Sequence, residues 1–148
     1  MANYECAKAS YLFPAITPDE FCDTTVEETF EFKASSLPAV NDVIRFLKLP
    51  ALGVVKNAKI ISDKLDTGGT PAVLINVGFY DETAGAVGSE LFSNSAVAQT
   101  GGVMEMNSPN AYRIAPTAHD RIIAAKIAMA PAGAAPGKLT LQVTYSNK

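Results

Sequence analysis

Two segments of this chain alternate with a period of two. Val73, Ile75, Val77 and Phe79 interleave with Ala72, Leu74, Asn76 and Gly78. Leu139, Leu141, Val143 and Tyr145 do the same with Lys138, Thr140, Gln142 and Thr144. Successive side chains point to opposite faces only in a strand, so this pattern commits the chain to sheets with one face buried.

The rest of the chain fits strands between turns. Val26, Thr29, Phe30 and Phe32 sit among Glu27, Glu28, Glu31 and Lys33. Val43 to Leu49 is rich in β-formers, is also compatible with a short helical turn, and stops at Pro50. Gly53 to Leu65 mixes Val, Ile and Lys with an imperfect face split, as in a strand with a bulge or with both faces covered. Asp66 to Pro71 reads as a turn, Asp81 to Glu90 as a polar loop, and Leu91 to Gln99 as a short helical turn. After Gly101-Gly102, Val103 to Asn107 suggests a short strand, and Tyr112 to Ala115 a short extended piece. Arg121 to Met129 has helix-compatible propensity, but the Pro- and Gly-containing loop from Ala130 to Gly137 follows it. The expectation is therefore a strand that forms a hairpin with Leu139–Tyr145. Seven to nine short strands and no βαβ alternation predict an all-β antiparallel β-sandwich or barrel.

The first two dozen residues break the pattern. Tyr4, Tyr11, Leu12 and Phe13 lie near Pro14 and Pro18 without any period. We read residues 1–24 as an extended N-terminal arm and residues 25–148 as the sandwich domain. Aromatic rings on an arm must bury against its own domain or a neighbour. Tyr4, Tyr11, Leu12 and Phe13 are thus the candidate contact residues.

Composition narrows the function. The chain has 148 residues, 48% of them hydrophobic, enough for one domain with its own core. Its net charge of −3 and lack of a basic block argue against nucleic-acid binding. No apolar stretch is long enough to span a membrane as a helix, and the first residues do not read as a signal peptide. Cys6 and Cys22 are expected to be free thiols in a reducing cytoplasm, with a disulfide between them as the alternative.

Few residues offer chemistry. Asp66-Thr67-Gly68 is the triplet of aspartic proteases, in which two aspartates share a proton. Here Lys64-Leu65 precedes it where such enzymes carry a hydrophobic pair, and Gly69 follows it. The plain reading is a turn built from common turn residues. His119 beside Asp120 is the only histidine, and a triad needs three converging groups. Cys6, Cys22 and His119 lack the spacing of zinc ligand pairs, and no cofactor motif occurs. Asp19, Glu20, Asp23, Glu27, Glu28 and Glu31 form an acidic run without the glycine punctuation of a calcium loop. It is a solvated face or a docking face for a basic neighbour, and Lys56, Lys59 and Lys64 carry the opposite sign. The chain is thus expected to be a binding protein and not an enzyme.

Three segments in order carry a family likeness. They are Ala58–Thr70 running into Val73–Phe79, Arg121–Ile127, and Pro131–Tyr145. Their layout is a strand ending in Leu65-Asp66-Thr67-Gly68, a strand ending in Val77-Gly78, and a final Gly-led hairpin. It resembles the head decoration, or cement, proteins of tailed bacteriophages over about 60% of the chain, from Ala58 to Tyr145. That resemblance implies a jelly roll, a homodimer or homotrimer, and a major capsid protein as partner. It also implies a place on the capsid surface of a virion made in a bacterial cytoplasm, where such proteins reinforce the shell. The alternatives are a carbohydrate- or receptor-binding β-sandwich of a phage fibre or spike, and a retroviral-type aspartic protease using Asp66. The chain has no Trp, which sugar sites favour.

Overall fold

A computed structural model describes residues 1–9, 15 and 23–147. Ten strands are present among them: β1 (Asn3–Glu5), β2 (Thr24–Phe32), β3 (Val43–Leu49), β4 (Gly53–Ser62), β5 (Leu74–Asp81), β6 (Ala86–Val87), β7 (Phe92–Ser95), β8 (Gly102–Glu105), β9 (Arg121–Met129) and β10 (Gly137–Asn147). One short helix, α1 (Val97–Thr100), follows β7.

The strands form two sheets. Sheet A runs β1-β3-β9-β5-β6, with β7 also paired to β5, and sheet B runs β2-β10-β4-β8. Only β1 pairs in parallel, with β3. The antiparallel partners are nested: β2 with β10, β3 with β9, β4 with β8, and β5 with β7. A long hairpin wound over itself gives this nesting, which is the jelly-roll form of a sandwich. The expected all-β antiparallel sandwich is therefore found.

Nesting overturns one expectation. β9 and β10 are not a hairpin, because β9 lies in sheet A between β3 and β5 while β10 lies in sheet B between β2 and β4. The loop between them crosses the core, a sheet-to-sheet distance of about 10 Å. Alternation reports that a segment is a strand but not which sheet it joins. Smaller differences concern length. Val43–Leu49 is wholly strand. The polar loop after β5 folds back through β6, and Phe92–Ser95 is strand rather than helix. Tyr112 lies in a 3-10 turn, Ala111–Arg113.

The two sheets bury themselves differently. In β10 only Leu139, Leu141, Val143 and Tyr145 are fully buried, so the alternation is clean. In β9 Ile122, Ile123, Ala124 and Ala125 are all buried in succession. A central strand covered on both faces reads as a continuous apolar run, which is why its sequence also suits a helix. The core between the sheets includes Phe32, Phe46, Leu47, Leu49, Ile60, Phe92 and Tyr145. Each such side chain contributes about 1.5–3 kcal/mol by leaving water.

Candidate functional site

The connections β2–β3, β4–β5, β7–β8 and β9–β10 gather at one end of the sandwich, as the registers require. Asp66 sits at their centre, buried among them. Its Oδ1 accepts hydrogen bonds from the N–H groups of Gly68 (3.0 Å) and Gly133 (2.9 Å). Its Oδ2 accepts from Ala72 (2.7 Å), Val73 (3.1 Å) and Ala132 (2.9 Å). One carboxylate thus ties the β4–β5 connection to the β9–β10 connection. The two backbones touch closely: a Cβ on Gly133 would lie 2.7 Å from the Gly68 nitrogen. Thr67 N–H also donates to the Gly133 carbonyl at 2.7 Å, and Ala135 N–H to the Leu65 carbonyl at 3.0 Å. Leu65 N–H donates to the Ala98 carbonyl of α1 at 2.9 Å, which adds the β7–β8 connection.

Burial alone raises the pKa of Asp66. The bonds from Ala72, Gly133, Ala132 and Gly68 favour the ionised form, outweigh burial, and hold the carboxyl well below the usual carboxylate range. A protease aspartate needs an oxygen open to water and a second carboxyl beside it. Asp66 is sealed from solvent and both oxygens are occupied. Its geometry is that of a structural clamp.

The opposite end carries the remaining polar candidates. His119 is exposed, and its carbonyl accepts a bond from Thr117 Oγ1 at 2.9 Å. Asp120 Oδ1 accepts from Ala51 N–H at 2.9 Å. The Arg121 guanidinium lies 4.1 Å from the centre of the Phe79 ring, and its Nη2 donates to the Gly53 carbonyl at 3.4 Å. Burial lowers the pKa of Arg121, and Glu90 opposes that shift. These residues line an open cleft of about 540 Å³ with Lys48, Tyr80, Asp81, Glu82 and Ile122. Among the described residues no group of three His, Cys, Asp or Glu is placed to hold a metal ion. Cys6 is a buried free thiol, pushed up to about 12 by burial first and then by Glu28, so it stays protonated at neutral pH.

Of the candidate contact residues, Tyr4 is half-buried on its own domain. Its ring lies 4.6 Å from that of Phe30 and 6.1 Å from that of Phe32. Its hydroxyl shares a hydrogen bond with Ser36 Oγ at 2.7 Å. Tyr11, Leu12 and Phe13 lie outside the described residues, as do Cys22, Asp19 and Glu20. The acidic strand β2 is partly matched: Glu28 pairs with Lys8 at 3.4 Å, and Glu27 accepts from Gln142 at 3.1 Å. Glu27 and Glu31 nonetheless face solvent. Sequence reasoning missed Asp42, which is buried and accepts from the N–H groups of Ala2 (2.8 Å) and Ala39 (3.0 Å). It fixes the start of β1 beside β3. Its sequence context, Asn41-Asp42, shows only a pair of common turn residues.

No protein-family model matches the chain, and no curated protein matches it. Solved structures do. A chain from the capsid of Ralstonia phage GP4 superposes with a TM-score of 0.88 at 30% identity, over 99% of both chains. The chain belongs to the structural proteins of phage capsids. Two further capsid structures share the fold of this phage capsid protein. One is the Cyanophage Pam1 capsid asymmetric unit, with TM-score 0.72 and 24% identity over 96% of this chain and 99% of that one. The other is the acidic stable capsid of Helicobacter pylori bacteriophage KHP30, with TM-score 0.59 and 16% identity over 83% and 86%. A structural role in the virion fits a molecule in which a fully buried carboxylate, Asp66, holds loops together. No helix among the described residues is long and apolar enough to cross a membrane.

Proposed function

We propose that this capsid protein is a decoration, or cement, protein that binds the outer surface of the assembled shell and stabilises the lattice. The end-to-end likeness to one chain of a phage capsid carries the reading, since a single self-contained jelly roll accounts for that whole chain. An acidic chain of net charge −3 is poorly suited to face packaged DNA, which favours the outside. Cement binding gains from repetition: many copies on a regular lattice turn weak single contacts into high avidity. The partner in this reading is a major capsid protein. Tyr11, Leu12 and Phe13 supply contacts to it, while Tyr4 anchors the segment to the sandwich. No cofactor and no catalytic step is involved.

Shells assembled without this chain test the proposal. Purified protein added back should sediment with them at a fixed stoichiometry and raise the temperature at which they release DNA. Absence of binding, or failure of any closed shell to form without the chain, would overturn it. Tyr11→Ser, Leu12→Ser and Phe13→Ser combined should abolish binding while the circular dichroism of the sandwich is unchanged. Deleting residues 1–13 is a poorer test, because it would remove β1 from sheet A.

A further inference from the structure

Two sealed carboxylates are compensated very differently. Asp66 accepts bonds from five N–H groups. Asp42 is 2% exposed, yet among the described residues it accepts from two, Ala2 on Oδ1 at 2.8 Å and Ala39 on Oδ2 at 3.0 Å. None of the ion pairs among the described residues includes it. A buried carboxylate is costly unless a cation or a full set of donors answers its charge. The missing cation can come from the main chain. Ala2 N is held in place, because the Ala2 carbonyl accepts from Val43 N–H at 2.8 Å where β1 begins to pair with β3. Asp42 is held as firmly: its N–H donates to the Ala39 carbonyl at 3.1 Å, and its carbonyl accepts from Ile127 N–H at 2.9 Å. The separation of Ala2 N and Asp42 Oδ1 already suits an ammonium–carboxylate bond, for which about 2.7–2.9 Å is usual. Met1, in contrast, is 83% exposed. Any residue ahead of Ala2 keeps this nitrogen a neutral amide with a single N–H.

We infer that the peptide bond between Met1 and Ala2 is hydrolysed, and that the ammonium so formed on Ala2 makes an ion pair with Asp42. The cut consumes one water. Its oxygen joins the carboxylate of the released methionine, and its two hydrogens end on the Ala2 nitrogen, which becomes –NH3+. The enzyme it calls for is an aminopeptidase that removes methionine ahead of a small residue, and alanine is such a residue. The neutral hydrogen bond at Asp42 becomes a charge-assisted one, roughly twice as strong. Its carboxylate is shielded from water, where salt screens little. The pair fastens the start of β1, a strand that pairs with β3 through Asn3, Tyr4 and Glu5 alone.

This pairing is independent of the cement reading and is tested on the full chain by itself. Mass spectrometry of the chain made in bacteria should find it lighter by one methionine. Cleavage of a ubiquitin fusion gives two further samples, one starting at Met1 and one at Ala2. The form starting at Ala2 should melt at least about 3 °C higher. Acetylation of its Ala2 nitrogen keeps one N–H for Asp42 but removes the charge, and should bring the melting temperature down to that of the Met1 form. Asp42→Asn should erase the difference between the two forms. The acetylated sample carries no substitution, so it decides the matter even where Asp42→Asn does not fold. Retention of Met1, equal melting of the two forms, or a difference that survives acetylation overturns the inference.

Discussion

The two ends of the sandwich solve one problem in different ways. Both must carry the chain from one sheet to the other. At the Asp66 end a single sealed carboxylate gathers five backbone donors from two connections far apart in sequence. At the other end the connections are held by separate, mostly exposed contacts around an open cleft: Ala51 to Asp120, Leu52 N–H to the Thr117 carbonyl at 2.8 Å, and Arg121 on Phe79. One end is a hub and the other a set of independent ties. A hub fails as a whole when its centre is lost, because each orphaned buried N–H carries its own desolvation cost. Independent ties fail singly and cheaply.

The sharpest way to break the comparison is Asp66→Ala. It strands five N–H groups and loosens both connections, so the melting temperature should fall by at least about 10 °C. A calorimetric scan of wild type and variant measures it. A drop no larger than that of a surface substitution would show that water replaces the carboxylate. The companion test is pH. The folded carboxyl titrates below its ordinary unfolded value of about 3.9. Its contribution is therefore complete above that value and is lost as pH falls from about 4 towards the folded value. Wild-type stability attributable to Asp66 should stay level from neutral pH to about 5 and decline below 4. Asp66→Asn, already weakened, should lack that part of the acid decline.

Asp42 tests whether the hub behaviour depends on the number of donors. It too is buried, but among the described residues it holds two N–H groups, those of Ala2 and Ala39. Asp42→Ala should cost about 1–3 kcal/mol, the usual cost of unpairing buried donors. Denaturant unfolding gives the magnitude. Amide exchange should localise the effect to β1 and the β2–β3 connection, leaving β10 protected. Spread into the β9–β10 connection would mean that the whole end acts as one unit.

How far these features were legible in the sequence follows from their physics. Period-two alternation is local, so β5 and β10 could be read from Val73–Phe79 and Leu139–Tyr145 alone. Sheet membership is not local. The chain contains a perfectly good loop at Ala130–Gly137, and only the nesting of β3 with β9 and β2 with β10 turns it from a hairpin into a crossing. β9 shows the opposite limit: Ile122–Ala125 carries no strand period because both faces are covered. The triplet Asp66-Thr67-Gly68 was visible, and its surroundings already spoke against a protease. That its carboxylate binds residues 132 and 133 was not visible, since the partners are backbone groups with no side-chain signature. β8 was foreseen as a strand, but its place at the edge of sheet B depends on how distant segments pair.

The smallest effect belongs to the open end. Asp120 lies on the exposed surface and accepts one bond, from Ala51 N–H. Removing it leaves that donor within reach of water, so the donor is not orphaned. An exposed hydrogen bond of this kind exchanges a protein partner for a solvent partner, and its net worth is about 0.5–1.5 kcal/mol at most. Leu52 N–H still holds the β3–β4 connection through the Thr117 carbonyl. Asp120→Ala should therefore cost less than about 1 kcal/mol and leave the amide exchange of β3 and β9 unchanged. A loss approaching that of Asp42→Ala would mean that the contacts around the cleft are cooperative, and the contrast between hub and independent ties would have to be abandoned.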